Sequence, residues 1–106
     1  MDENTINSLR EALKFSPDNI PLRHHLAEIL VQANRLPEAE AEYLELMKLA
    51  PDDKTKTGLA TVYFKQEAYS KCNVILEAVI EGGNPSFDTL ILYSRALLKE
   101  KSIGAA

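Results

Sequence analysis

The sequence contains no tryptophan, a single cysteine and two histidines, and it has neither a long apolar run nor an excess of basic charge. Cys72 has no second cysteine with which to form an internal disulfide, which suits a reducing compartment and favours the cytoplasm. Apolar stretches such as residues 26–31 are interrupted by charges well short of the roughly 20 residues that cross a bilayer, so no membrane-spanning segment is predicted. The acidic start of the chain is the opposite of a secretory signal.

The charge balance excludes a further class of partner. Twelve basic and sixteen acidic residues give a net charge of −4, whereas nucleic-acid binders neutralise phosphates with a basic excess. No block of like charges suggests a polybasic membrane arm. With 45% hydrophobic and 26% charged residues, the composition is that of one soluble globular domain, and neither nucleic acid nor membrane is predicted as a partner.

What the sequence does contain is an internal repeat. Pro17, Pro51 and Pro85 are spaced 34 residues apart, and each follows one helix-periodic apolar stretch and precedes another. The repeat unit is therefore a pair of helices. The apolar spacing recurs with it, as Leu26, Ala27 and Leu30, then Leu59, Ala60 and Tyr63, then Tyr93, Ser94 and Leu97. A small residue follows each set, at Ala39, Cys72 and Ala106, and lets a neighbouring helix approach closely.

The order Leu26-Ala27-x-x-Leu30, Ala39-x-x-x-Tyr43 and Pro51 resembles the tetratricopeptide repeat, whose signature is Leu-Gly-x-x-Tyr, Ala-x-x-x-Phe and a closing Pro. The resemblance covers nearly the whole chain and implies an all-α fold, a right-handed solenoid of antiparallel helix pairs with two and a half to three repeats. The second repeat is offset by one residue before Leu59 and recovers it at the Gly82-Gly83 turn, and the sequence departs from the family in two further ways. Arg23, Lys56 and Leu90 stand where the family often has Trp, and Glu67 replaces the turn residue that is Asn34 in the first repeat.

The spacing divides the single domain into an N-terminal half repeat at 1–17, full repeats at 18–51 and 52–85, and an incomplete repeat at 86–106. Helices are predicted at 3–15, 19–33, 37–50, 53–66, 69–81 and 86–101, with a further helix starting near Ser102. An interrupted third pair leaves one side of its first helix uncovered, namely Leu90, Tyr93 and Leu97. We therefore expect the chain to be the N-terminal part of a longer protein, or this possible self-association face to be covered by another copy.

The resemblance also implies a concave groove, lined by the first helices of successive pairs at positions that the core does not use. The predicted partner-binding groove residues are His24, Glu28, Val31, Lys54, Thr57, Thr61, Phe64, Lys65, Ile91, Arg95, Leu98 and Lys99. Together with Pro21, Gln32 and Asp88 at the rims, they carry more basic than acidic charge, so an acidic and partly apolar peptide or helix is the predicted ligand. The alternative is that these are ordinary solvated charges and inter-repeat packing.

No catalytic or metal-binding constellation is predicted, and no cofactor. His24 and His25 are adjacent and point about 100° apart on a helix, and Cys72 matches the small core residue Ala39. Glu38, Glu40, Glu42 and Glu45 are expected on a solvated outer face. Gly58 stands where chaperone-binding members of the family carry an Asn, so their carboxylate clamp is not predicted. The leading hypothesis is a protein-interaction scaffold. The alternative is a non-catalytic structural or oligomerisation arm of a larger multidomain protein such as an ATPase.

Overall fold

Six α-helices make up the chain in the computed structural model, which describes the backbone of residues 3–105 and the side chains of residues 3–101. The helices are α1 (Glu3–Phe15), α2 (Ile20–Gln32), α3 (Leu36–Leu49), α4 (Asp53–Lys65), α5 (Tyr69–Glu81) and α6 (Phe87–Ala105). All six begin within one residue of the predicted positions, and the first five also end within one. In the described residues, no helix is both long and apolar enough to cross a membrane.

The starts of α2 and α4 show why the 34-residue repeat produces helix pairs. Asn19 accepts a side-chain hydrogen bond from the Leu22 backbone N–H at 3.1 Å, and Asp52 accepts one from the Thr55 backbone N–H at 2.9 Å. Each side chain satisfies a backbone donor that the first helical turn leaves unpaired. The prolines Pro17 and Pro51 end the preceding segments, so each helix of this kind begins at a fixed distance after a proline.

The turns inside the two full repeats have the same geometry. Asn34 and Glu67 have φ values of 60° and 62°. The Arg35 and Ala68 backbone N–H groups that follow them donate to Leu30 O at 2.9 Å and Tyr63 O at 2.8 Å. This is the Schellman ending, which requires a left-handed residue at that place. Asn tolerates the conformation, whereas a Glu adopts it at a cost in backbone energy.

The core lies between successive helices of a two-layer stack. Each helix packs on the next one in the chain, and α2, α4 and α6 also lie side by side as one layer. The larger core cluster holds Ile6, Leu13, Leu26, Ala27, Ile29, Leu30, Ala39, Tyr43, Leu46, Leu59 and Val62. The smaller one holds Ala60, Cys72, Leu76 and Ala96. The chain is thus an all-α helical repeat stack of two and a half to three repeats.

The glutamates of α3 are not merely a solvated face, which corrects the sequence-based expectation. Glu42 accepts from Arg23 Nη1 at 2.7 Å, and Arg23 Nη2 donates to Pro17 O at 2.7 Å. Arg23 thereby occupies the place where the family often has Trp, with only 15% of its side chain exposed. Glu38 accepts from Arg10 at 2.6 Å and from Arg35 at 2.7 and 2.8 Å. These pairs join α1, α2 and α3.

The end of α6 differs from the prediction of a new helix starting near Ser102, because α6 continues to Ala105. Lys101 stands at the place of Asn34 and Glu67 in the repeat, but a Lys disfavours the left-handed turn. At Glu67 the packing of α5 on α4 holds that turn in place. Ala106, the predicted small contact residue, lies outside the described residues.

The predicted self-association face on α6 is partly open to solvent. Leu90 and Leu97 are 42% and 41% exposed, although Leu30, the counterpart of Leu97 in the first repeat, is fully buried. Tyr93 is half-buried, and its hydroxyl donates to Glu77 at 2.9 Å. Ala96, on the side of α6 that packs on α5, is fully buried.

Candidate peptide-binding groove

A cavity of about 650 Å³ opens on the layer formed by α2, α4 and α6. Six of the predicted groove residues line it: His24, Glu28, Val31, Lys54, Thr57 and Thr61. The structure adds lining residues that the sequence did not single out as a binding site, namely Tyr43, Asp53, Gly58, Asn84, Ser86 and Thr89. The cavity therefore occupies the N-terminal half of the α4 and α6 surface and the facing part of α2. We call it the α2–α4–α6 cavity.

The depth of the α2–α4–α6 cavity depends on Gly58, which has no side chain. A Cβ atom placed on Gly58 would lie 2.3 Å from Tyr43 Cε1, 2.6 Å from Cζ and 2.9 Å from the hydroxyl oxygen. Such approaches are far inside van der Waals contact, so the Tyr43 ring packs directly against the backbone of α4. Tyr43 is 5% exposed and comes from α3 in the second layer, so its ring crosses between the layers.

His24 lies beside Tyr43 and lines the cavity as a largely buried side chain. It is 5% exposed, its Nε2 atom lies 3.2 Å from Thr55 Oγ1, and its ring meets that of Tyr43 edge-on with centroids 6.1 Å apart. Burial lowers the pKa of His24 below its ordinary value of 6.5, and the Lys54 ammonium lowers it further, against the opposing effects of Asp52 and Glu28. Burial and the Lys54 charge therefore favour the neutral form of the imidazole.

Hydroxyl groups join neighbouring helices of this layer. Thr57 Oγ1 of α4 lies 3.1 Å from Thr89 Oγ1 of α6, which in turn lies 2.9 Å from Ser86 Oγ. Thr61 Oγ1 donates to Thr57 O at 2.8 Å. The Thr57–Thr89 pair joins α4 to α6 at the same repeat positions at which the His24–Thr55 pair joins α2 to α4. Both pairs fix the spacing of adjacent helices beneath the groove surface.

The charge around the α2–α4–α6 cavity differs from the predicted basic groove. Its lining carries Glu28, Asp53 and Asp88 against Lys54. The Tyr43 pKa is raised to about 12, mainly by burial and secondarily by the Glu28 carboxylate. This end of the groove is therefore acidic. The charge count from the sequence gave a basic groove because it included the residues of both ends of the groove and omitted Asp53.

The other end of the groove holds the remaining predicted residues outside the cavity. The Arg95 guanidinium lies 5.1 Å from the centre of the Phe64 ring, a cation–π distance that brings two predicted groove residues of α4 and α6 together. Phe64 also meets Tyr69 edge-on at 5.4 Å. The exposed side chains here are apolar or basic: Ile91 at 42%, Leu98 at 68%, Lys65 and Lys99. We call this the Phe64–Arg95 end.

The remaining reactive groups lie away from the groove. Cys72 is fully buried, as its match to Ala39 predicts, and burial raises the pKa of its thiol to about 11. A thiol of this kind is a poor nucleophile at neutral pH. Among the side chains of residues 3–101, no three His, Cys, Asp or Glu groups come together as metal ligands.

The contribution of Tyr43 and Gly58 to the cavity was missed because the sequence placed Tyr43 only in the core and treated Gly58 only as a missing Asn. A signal was available. A glycine in the interior of a helix lowers helix stability, so its presence in α4 indicates that another chain segment approaches there. In the repeat, the small residue Ala39 is followed four residues later by the large residue Tyr43, and this order indicates that Tyr43 faces a neighbouring helix such as α4.

The comparison with protein families agrees with the repeat seen in the helices. A family model described as tetratricopeptide repeat matches residues 3–56, which cover α1, α2, α3 and the start of α4. No curated protein matches the chain. Tetratricopeptide repeats generally bind other proteins and are generally not catalytic. The capped helix pairs, the 34-residue period and the family match together show that the chain belongs to the tetratricopeptide repeat family.

Proposed function

We propose that the chain is a non-catalytic protein-interaction module whose concave groove binds a peptide or a helix of a partner protein. The observation that carries the proposal is the α2–α4–α6 cavity, because ligand sites are concave and a recess of about 650 Å³ on this layer can accommodate side chains of a partner. The cavity and the Phe64–Arg95 end form one surface across α4 and α6. Side chains of a bound helix spaced by one turn could contact both.

The Phe64–Arg95 end suits an acidic and partly apolar segment of the partner. Arg95, Lys65 and Lys99 supply positive charge, and Ile91 and Leu98 are exposed apolar side chains beside them. Because the arginine guanidinium already stacks on Phe64, its position is partly fixed before a carboxylate arrives. This end therefore supplies charge complementarity, and the apolar residues supply buried area.

The test measures the affinity of fluorescently labelled peptides by anisotropy. Two panels of equal length are used, one acidic with leucines at helical spacing and one uncharged and polar. Arg95→Glu combined with Lys99→Glu should weaken the acidic panel about fivefold or more, because each reversal replaces an attraction of an exposed pair by a repulsion.

The matched control reverses two exposed lysines outside the groove, Lys14→Glu and Lys48→Glu, whose side chains are 70% and 76% exposed. It has the same change in net charge and should leave the affinity within twofold of the unmodified chain, about the margin expected of exposed charges that touch no ligand. The proposal is wrong if neither panel binds, or if the control pair weakens binding as much as the groove pair.

A second candidate function is a structural or oligomerisation arm, and the exposed face of α6 favours it. Leu90 and Leu97 are large apolar residues that are more than 40% exposed. They lie on the side of α6 that corresponds to the covered side of α2 and α4, the first helices of the two full repeats. Light scattering of Leu90→Gln with Leu97→Gln should give a smaller molar mass than the unmodified chain if this face joins two copies. Phe15→Gln with Val74→Gln, at 89% and 67% exposed positions elsewhere, is the control that should not change the mass.

A further inference from the structure

The α2–α4–α6 cavity contains carboxylates that the rest of the fold does not use. Glu28, Asp53 and Asp88 come from three different helices, and none of them has an ion-pair partner among the described residues. Glu38 and Glu42 outside the cavity are both paired with arginines. Three unpaired carboxylates at one recess lower the electrostatic potential there, with only Lys54 to oppose them.

A second feature of the cavity is independent of these charges. Tyr43 is 95% buried, lines the cavity, and its hydroxyl has no hydrogen-bond partner among the described residues. The hydroxyl oxygen is open to the cavity and not sealed in the core, so a ligand that enters can form the hydrogen bond that the protein does not supply. A cation with N–H donors can donate hydrogen bonds to the Tyr43 hydroxyl oxygen and to the carboxylates together.

We infer that the α2–α4–α6 cavity binds an arginine or lysine side chain of the partner, between Glu28 and Asp88 and against Tyr43. The aliphatic part of that side chain passes Val31 at the cavity wall, and its charged end reaches the carboxylates. This deepens the proposed function and rests on it, because it specifies the residue that the peptide places at this end. The preferred segment has a basic residue here and acidic residues at the Phe64–Arg95 end.

The opposite polarity of the two ends gives the groove a direction. An acidic residue at the Phe64–Arg95 end and a basic residue in the cavity are both satisfied in one orientation of the peptide, and each would meet like charge in the reverse orientation. Like-charge contact at both ends disfavours the reversed peptide. The inference therefore concerns the identity and the orientation of the bound segment.

The test titrates the isotopically labelled chain with N-acetyl-arginine amide and follows the amide signals by NMR. N-acetyl-citrulline amide is the matched probe, because citrulline has nearly the same shape as arginine but no charge. We expect saturable shifts at Thr57 and Gly58 with the arginine probe and a dissociation constant at least about fivefold weaker with the citrulline probe, the size expected of exposed or half-exposed charge pairs.

Variants of the chain then identify the groups responsible. Glu28→Gln with Asp88→Asn should weaken binding of the arginine probe about threefold to tenfold, and Lys54→Gln should strengthen it about twofold, because the same pairwise energies apply with opposite sign. The control is Asp18→Asn with Glu81→Gln, which removes two exposed carboxylates outside the cavity and should leave binding unchanged.

Three results would overturn the inference: no saturable shift at Gly58, equal binding of the two probes, or unchanged affinity in the Glu28→Gln and Asp88→Asn variant. The amino-acid probes report on the cavity alone, whereas the peptide panels report on the Phe64–Arg95 end. If the panels bind as proposed and the arginine probe does not, the groove function stands and the inference fails. If no peptide binds, the proposed function fails first.

Discussion

Replacing Gly58 by alanine tests the close approach of Tyr43 to α4. In the interior of an exposed helix, this change stabilises by about 1 kcal/mol, because alanine has the higher helix propensity. Here the new methyl group would lie 2.3 to 2.9 Å from three atoms of the Tyr43 side chain. Overpacking of this kind costs about 1–3 kcal/mol, and a ring driven from its site loses part of the roughly 1.5–3 kcal/mol that its burial contributes.

The clash outweighs the gain in helix propensity, so we expect Gly58→Ala to lower the free energy of unfolding by about 1–2 kcal/mol. For a domain of this size, that lowers the melting temperature by roughly 4–12 °C. The measurement is chemical denaturation followed by circular dichroism, with a thermal melt as a second readout. The slope of the denaturation curve should stay the same, since the surface exposed on unfolding hardly changes.

A double-mutant cycle separates the clash from helix propensity. In the Tyr43→Leu background, the atoms that would meet the new methyl group are gone, so Gly58→Ala should there be stabilising by about 0.5–1 kcal/mol. In the Tyr43→Phe background, Cε1 and Cζ remain, so the substitution should stay destabilising. The reasoning is refuted if Gly58→Ala stabilises the unmodified chain, or if its effect is the same in all three backgrounds.

Three further predictions concern the turn, the buried histidine and the Arg23 pair. Glu67→Asn should raise the free energy of unfolding by about 0.5–1 kcal/mol by relieving the left-handed conformation, while Glu67→Gln, which keeps the unsuitable backbone preference, should not. The pKa of His24 is lower in the folded chain than in the unfolded chain, so the unfolded chain binds more protons below about pH 6.5. The contribution of His24 to the free energy of unfolding is therefore complete above that pH. It falls as the pH drops, by at most about 1.4 kcal/mol per pH unit. Denaturation curves between pH 7 and 5 should show this fall in the unmodified chain and lose most of it in His24→Gln. Glu42→Gln should cost about 1–2 kcal/mol in urea denaturation because it leaves the Arg23 charge partly buried without its partner, whereas Glu45→Gln, whose pair with Lys48 is exposed, should cost under about 0.5 kcal/mol. An equal loss in the two glutamate variants would contradict the role given to the Arg23–Glu42 pair.

The sequence predicted the fold well because the signals that start and stop these helices are local. Asn19 and Asp52 cap helices within three residues of themselves, and the prolines mark the end of each pair. The period of 34 residues then repeats the same local instructions along the chain. Family resemblance and periodicity depended on the same residues, so both gave the helix pairs.

The site was predicted less completely, because it depends on contacts between distant parts of the chain. His24 lines the cavity from its position on α2, but the sequence did not show that Thr55, 31 residues later, takes part in burying it. The cavity owes its shape to the meeting of Gly58 and Tyr43, which a helix-by-helix projection does not show. The glutamates of α3 looked solvated because their arginine partners lie on other helices. The predicted end of α6 was wrong because the left-handed turn at Glu67 depends on the packing of α5 on α4, and no such packing is seen at Lys101 in the described residues.

The uneven division of the core has a consequence for the order in which the stack folds and opens. The cluster under α1 to α4 contains large aliphatic side chains from four helices, whereas the cluster under α5 and α6 consists mainly of small residues, with Leu76 as its largest buried member. In repeat arrays, stability is nearly a sum of contributions from each repeat and its neighbours. We therefore expect folding to begin at α2 and α3 and to spread outward, and backbone amides of α5 and α6 to exchange with solvent deuterium before those of α2 and α3. The Phe64–Arg95 end then lies where the array opens most easily, so a ligand bound there would slow exchange in α6 more than in α2.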